Sequence, residues 1–236
     1  MTDTTLLVVG GTAGIGREIA KRYAGEGWRV FLTGRDGDRA KQAAEEVGGE
    51  AGGDVQGLAV DLSRPTEVEA ALAGMGPVDH IVLSAIARDA NTVRDYSVAS
   101  ATYLTTMKLV GYPAVVHAMV DRLSRDGSVL MFGGRAKDRP YPGSTTVSTV
   151  NAGVTGLMHS LALQLAPVRV NTLHPGIVAD SPFWSGKSEA TERVLSQTPT
   201  GRNVAMADIV DGVDFLLRNR SVNGIDLYID GGWLLE

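Results

Sequence analysis

The chain has 236 residues, 44% of them hydrophobic and 21% charged, enough apolar material for one sizeable core. Its 27 acidic against 22 basic residues leave a net charge of −5, which argues against a nucleic-acid-binding surface. The absence of cysteine excludes disulfides and cysteine–metal sites and makes the reducing cytoplasm the default compartment.

The opening residues 1–5 carry no basic region, and the apolar run after them ends at Val9, too short for an export signal or a membrane span. That run, residues 6–9, is a first strand, followed by a helix to about residue 24. A second strand covers 29–33 and ends at Gly34-Arg35-Asp36. A polar helix over 38–47, a glycine-rich connector over 48–53 and a third strand over 55–60 follow, the last ending at Asp61-Leu62. Residues 79–85 read as a fourth strand, 99–123 as one long helix, and 127–132 as a fifth strand. A helix over 144–166 precedes the sixth strand, 168–173, which closes on His174-Pro175-Gly176. A helix over 207–217 and a strand over 225–229 complete the chain. Mostly continuous apolar strands separated by helices imply a parallel sheet covered on both faces. With no repeat, linker or low-complexity segment, residues 1–236 read as one α/β domain. The loop 179–202, with Pro182, Phe183, Trp184 and Pro199, is long enough to be a lid.

The richest signal is the turn after the first strand, Gly10-Gly11-Thr12-Ala13-Gly14-Ile15-Gly16. Strand, glycines at fixed offsets and helix together make an anion site, because free N–H groups and the positive helix end converge on one point. The glycines leave no side chain between the backbone and a pyrophosphate. Gly10, Gly14 and Gly16, with the intervening Thr12, Ala13 and Ile15, are therefore candidate cofactor-binding residues. A plain strand-to-helix turn would need one glycine and not four.

At the end of the second strand, an acidic side chain would hold an adenosine ribose, whereas an arginine suits a 2′-phosphate. The residue after Gly34 is Arg35, so the expectation is NADP(H), with NAD(H) remaining open if Asp36 turns inward. Asp61 is placed to accept from an adenine amino group; its alternative is to cap the helix that begins near Pro65, which Ser63 could also do.

On Gly10-x-x-x-Gly14-Ile15-Gly16, Asp61-Leu62, Val168-Arg169-Val170-Asn171-Thr172-Leu173-His174-Pro175-Gly176 and Asn223-Gly224…Asp230-Gly231-Gly232, the chain resembles the short-chain dehydrogenase/reductase family over essentially its whole length. The resemblance implies a doubly wound Rossmann-type fold of about seven strands and a nicotinamide dinucleotide. It also implies a small-molecule substrate and a homodimer or homotetramer built on the two long helices, with no nucleic-acid or membrane partner. It places Leu62, Ser84 and Ala85 beside the cofactor. Gly176 and Val178 fall near the nicotinamide ring, and Ser181 at its carboxamide.

The family's chemistry normally rests on an Asn-Ser-Tyr-Lys tetrad. Here Gly134 stands for the serine, Val147 for the tyrosine, Asn151 for the lysine and Lys108 for the asparagine. Leu83-Ser84-Ala85-Ile86 replaces the family's Asn-Asn-Ala-Gly. Valine cannot move a proton and glycine cannot orient a carbonyl, so the usual general-acid help, worth about 10²–10⁴-fold, is not available as normally drawn. No tyrosine occurs between Tyr141 and Tyr228, so a one-residue slip restores nothing.

The asparagine and lysine positions look exchanged. On that reading Lys108 brings an ammonium to the site while Asn151 binds the ribose; the plainer reading is an exposed helix lysine. Tyr141 and Tyr112 are substitute proton donors, with packing or a dimer contact as their alternative. His174 ends a strand at the crevice, whereas His117 and His159 fall within helices and read as structural. No His/Asp/Glu cluster has metal-ligand spacing. The leading expectation is an NADP(H)-linked oxidoreductase acting on a small carbonyl or alcohol with unusual proton transfer. The alternatives are a cofactor-bound protein without redox turnover, such as a sensor or partner subunit, and a non-redox lyase or isomerase.

Overall fold

The structure, a computed structural model, describes residues 4–235; the leader-free reading of residues 1–3 falls outside them. One parallel sheet forms the centre, with strands β1 (Thr5–Val9), β2 (Arg29–Gly34), β3 (Val55–Ala59), β4 (Val78–Leu83), β5 (Leu123–Phe132), β6 (Arg169–Pro175) and β7 (Asp226–Ile229). Their order is β3-β2-β1-β4-β5-β6-β7, every pair parallel. The order reverses between β1 and β4, the position at which open α/β sheets leave a ligand crevice beyond the carboxyl ends of the strands.

Side-chain alternation divides each apolar strand between two cores. Leu6 and Val8 of β1 pack with α1 (Gly14–Gly25), α2 (Gly37–Ala51) and α8 (Met206–Arg218). Leu7 and Val9 face the other layer. That layer holds α3 (Val68–Leu72), α4 (Val98–Thr105), α5 (Gly111–Met119) and α6 (Thr145–Gln164). A short helix, α7 (Ser188–Leu195), lies inside the 179–202 segment that had read as loop.

Two expectations are corrected. The connector over 48–53 is helical as far as Ala51 and is closed by Gly52 in the left-handed conformation, φ 73°, with its N–H on the Gly48 carbonyl. A left-handed glycine is a common helix stop, so the break falls at the last usable glycine rather than at the first. The helix expected over 99–123 is interrupted. Pro113 has no N–H to return to Leu109, and Thr106–Val110 forms a π turn in which the Gly111 N–H reaches Thr106. The same segment leaves the helix after Arg122, and Leu123 already begins β5. Gly111 cannot carry a side chain, since its Cβ would lie 2.7 Å from the Leu62 carbonyl oxygen. The π turn carries Lys108.

Candidate active site

The glycine turn is a tight knot of backbone. Gly10 has φ +88°, and a Cβ there would come within 2.6 Å of the Ala85 backbone. A Cβ on Gly16 would lie 2.3 Å from the Gly10 carbonyl oxygen and 2.7 Å from Ser84 Oγ. Gly14 has φ +58° and open space before it. The N-cap of α1, Ala13, offers no side-chain cap, so the first N–H groups of the helix are left for an anion. This cradle fits a dinucleotide pyrophosphate. Ser84 and Ala85 meet the turn from beneath: the Ser84 hydroxyl donates to the Val9 carbonyl at 3.1 Å, and Ala85 closes on Gly10. Both are seated against the glycine turn, the Ser84 hydroxyl with its hydrogen on the Val9 carbonyl.

Beyond the end of β2, Arg35, Asp61 and Arg64 line a cavity of about 320 Å³. Asp36 does not turn into it, because its carboxylate accepts from the Arg39 N–H at 2.9 Å and caps α2. Arg35 donates to the Tyr103 hydroxyl at 2.7 Å, which anchors one arm of its fork. Asp61 Oδ1 accepts from both the N–H and the hydroxyl of Ser63, at 2.9 and 2.7 Å, leaving Oδ2 available. Leu62 is buried under Gly111. The Tyr103 anchor, on the far helix α4, had no signal in the sequence.

The positions to which the resemblance assigned the tetrad form the opposite wall. Lys108 is no surface lysine: it is 2% exposed, and Nζ donates to the Phe132 carbonyl at 2.8 Å. Burial, with some repulsion from Arg88, brings its pKa down to about 7. Asn151 is buried too, and among the described residues its amide makes no hydrogen bond. It points at Gly134, where a Cβ would sit 2.7 Å from Asn151 Nδ2. Val147 is half-buried in the α6 wall. The structure thus brings Lys108, Gly134 and Asn151 to the end of β5.

The substitute tyrosines fare differently. Tyr112 is fully buried, donates to the Ala85 carbonyl at 2.7 Å and is pushed well above the usual tyrosine range by burial. Its role as a proton donor is therefore corrected to that of a buried strut. Tyr141 is half-exposed in the loop before α6, also raised by burial, with the Arg88 charge opposing that rise.

His174 is buried with both ring nitrogens engaged. Nδ1 faces the Gly134 N–H at 3.0 Å and Nε2 faces Asp226 Oδ1 at 2.9 Å. Burial lowers its pKa, so the neutral ring serves as a fixed bracket for the Gly133-Gly134 turn. Gly133 is required here, since a Cβ would meet the ring at 2.3 Å. His117 and His159 lie within helices, as expected, on the exposed faces of α5 and α6. Gly176 packs against Asp230, at 3.0 Å from a Cβ, so the neighbour that demands glycine there is protein backbone. Val178 and Ser181 are buried, and Val178 pairs with Val204 at the base of the 179–202 segment. Above them Phe183 and Trp184 meet edge to face at 4.8 Å. Among the described residues no group of three or more His, Asp or Glu is gathered for a metal, and no helix is long and apolar enough to cross a membrane.

These features are those of one family. A family model described as Enoyl-(Acyl carrier protein) reductase matches residues 10–234, and the chain belongs to the short-chain dehydrogenase/reductase family of oxidoreductases. It is 30% identical over 233 residues to "Carbonyl reductase family member 4" of Danio rerio, covering 96% of both chains. It is 27% identical over 238 residues to "Carbonyl reductase [NADPH] 2" of Sus scrofa, covering 97% of this chain and 95% of that one. A solved "short chain dehydrogenase/reductase family protein" superimposes with a TM-score of 0.84 at 30% identity, over 98% of this chain and 97% of the other.

Proposed function

We propose that this protein is an NADP(H)-dependent oxidoreductase of a small organic carbonyl or alcohol, in which Lys108 does the proton work normally done by tyrosine. When bound, the nicotinamide cofactor supplies or removes the reducing equivalent. The turn Gly10–Gly16 receives its pyrophosphate on backbone N–H groups. Arg35, held by Tyr103 and joined by Arg64, reads a 2′-phosphate, and the commitment of Asp36 to α2 removes the acid that would favour NAD(H). The free amide of Asn151 holds a ribose hydroxyl. Asp61 Oδ2 accepts from the adenine amino group, and Gly176, Val178 and Ser181 flank the nicotinamide.

In the reducing direction the Lys108 ammonium donates to the substrate oxygen; in the oxidising direction its neutral amine accepts the proton back. The observation that carries this reading is the burial of Lys108, which brings its pKa to about 7, where both forms are populated at working pH. The 179–202 segment acts as a lid whose Phe183 and Trp184 keep water from the site. The name of the pig relative, which includes NADPH, supports the cofactor. One domain in the cytoplasm, paired with a second copy through the two long helices, completes the reading; exposed Val110, Val120 and Leu163 support the pairing.

Absorbance loss of NADPH in the presence of a carbonyl panel tests this reading, and Lys108→Met should abolish it. Turnover that survives Lys108→Met sinks the assignment. The emptied positions Gly134 and Val147 favour a second reading, a cofactor-bound protein without turnover. Tight NADPH binding with no consumption on any substrate would establish that one. Conversion of a substrate with NADPH absorbance unchanged would instead point to a lyase or isomerase.

A further inference from the structure

His174 stands near the end of β6, directly behind the turn that carries Gly134, and none of its surface is exposed. The Gly134 N–H donates to Nδ1 at 3.0 Å, so Nδ1 carries no hydrogen. The one ring proton is therefore on Nε2 and goes to Asp226 Oδ1 at 2.9 Å. Asp226 is fixed in turn: its Oδ2 accepts from the Thr155 hydroxyl at 2.9 Å, and Lys137 Nζ stands 3.5 Å from the same oxygen. The ring has no slack on its other sides. A Cβ on Gly133 would touch it at 2.3 Å, and the Tyr228 ring covers it at 5.3 Å between centroids.

This arrangement exists for one protonation state only. A second ring proton would sit on Nδ1, facing the Gly134 N–H, and two donors cannot share one bond. Turning the ring over puts Cδ2 where Nδ1 stood and loses the same bond. Either way the Gly134 N–H is left without its acceptor, and the turn must shift to find another. From β7 the ring is faced by Asp226 and Tyr228, and from the turn Arg135–Lys137 by Lys137, which donates to the Tyr228 hydroxyl at 2.8 Å. Arg135 lies behind Tyr228, 4.0 Å from its ring centre, and pairs with Asp138 and Asp230. Thr155 of α6 and the glycines after β5 bring no charge. Asp226 favours the added proton and Lys137 opposes it.

We infer that His174 is a positioning residue for the crevice: as a neutral ring held by Asp226 it keeps the Gly133-Gly134 turn against Asn151, and a proton at Nδ1 releases that turn. The release rests on the hydrogen bonds alone. Its effect on NADPH rests on the cofactor reading above, in which Asn151, beside Gly134, holds the ribose. The added proton binds the released turn better than the held one, so the released form gains as pH falls. Burial of the ring sets this step below the ordinary histidine range.

The test is an NMR titration of the full chain from neutral to acid pH, following the ring signals of the four histidines and the backbone amides of Gly134 and Gly14. The Gly134 amide should move with the same midpoint as the His174 ring, while Gly14, on the facing wall, stays in place. Asp226→Asn should carry that shared midpoint to lower pH and Lys137→Met to higher pH, since the two charges act on the ring with opposite sign. His174→Asn, whose side-chain oxygen can stand where Nδ1 stood and takes no proton, should abolish the acid shift of the Gly134 amide. By fluorescence titration, NADPH affinity should fall about 10-fold further across the midpoint in the parent than in His174→Asn. A Gly134 amide that stays put while the ring titrates overturns the inference. So do midpoints that move the same way, or not at all, in the two charge variants, and so does unfolding before the ring takes its proton. The opposed shifts decide the matter even where His174→Asn does not fold. NADPH affinity with the same pH dependence in parent and His174→Asn overturns the positioning role. The two readings fail separately. A shared midpoint with no NADPH bound at any pH leaves the release standing and removes the cofactor reading. NADPH bound by a protein whose Gly134 amide ignores the ring does the reverse.

Discussion

Two glycines on facing walls of the crevice sit under opposite constraints. At Gly16 the atom a side chain would strike first is a backbone carbonyl, that of Gly10, at 2.3 Å. At Gly134 it is the movable end of another side chain, the Asn151 amide, at 2.7 Å. The cofactor wall is a knot of main chain, and main chain cannot be exchanged by substitution. The opposite wall is side chain against side chain, where residue and neighbour can change together. The positions to which the family resemblance assigned the tetrad lie on that second wall, and Lys108 in its π turn occupies it too.

The largest expected effect falls on that second wall. Lys108→Met should lower turnover about 10²–10⁴-fold while NADPH affinity stays within about twofold, since methionine fills the cavity and moves no proton. In the parent protein the rate of carbonyl reduction should fall as pH rises through about 7, where the ammonium is lost, and this limb should vanish in the variant. The stability effect has the opposite sign. A lysine whose pKa is lowered by folding binds fewer protons folded than unfolded, so the parent gains stability as pH climbs from about 7 towards the ordinary lysine value. Lys108→Met should lose that slope and melt a few degrees higher at neutral pH. A variant that melts lower would show the buried amine to be a structural tie to Phe132.

Gly16→Ala attacks the first wall. The added methyl must displace backbone, and we expect a loss of about 1–3 kcal/mol in stability together with about a 10- to 100-fold loss of NADPH affinity, read by chemical denaturation and cofactor fluorescence. Gly134→Ala, by contrast, should melt close to the parent because Asn151 can rotate. Equal damage at both positions would break the comparison.

Smaller effects lie at the adenosine end. Arg35→Ser should weaken NADPH about tenfold and leave NADH unchanged, through loss of one charge-assisted contact. Tyr103→Phe removes only the anchor of that arginine and should weaken NADPH about two- to threefold, again sparing NADH. Fluorescence titration with both cofactors separates a loosened arginine from a general defect, which would weaken both alike.

Much of this was legible beforehand because it is local. The turn Gly10–Gly16 announces itself by spacing, and each apolar strand by its run of Leu, Val and Ile. Gly134 and Val147 stand out in the sequence once the neighbouring motifs are set beside the family resemblance. The missed features are those that depend on partners distant in sequence. Asp36 could have faced a ribose, but it is spent on Arg39. Tyr112, read as a proton donor, is tied to Ala85. His174 needed Asp226, a partner contributed by β7, before its ring could be recognised as a bracket for Gly134.

The sequence by itself determined the layered parallel sheet, the glycine-rich turn and the residue types at Gly134, Val147 and Asn151, because hydrophobic period, glycine offsets and residue identity act over a few neighbouring positions. Only the tertiary structure decided that Lys108 is buried, that Arg35 is held by Tyr103 and that the Tyr112 hydroxyl is spent on Ala85. Burial and hydrogen bonding belong to the space between elements: they set the proton affinity of a lysine and fix the partner of a tyrosine, and neither can be read from the identity of the residue.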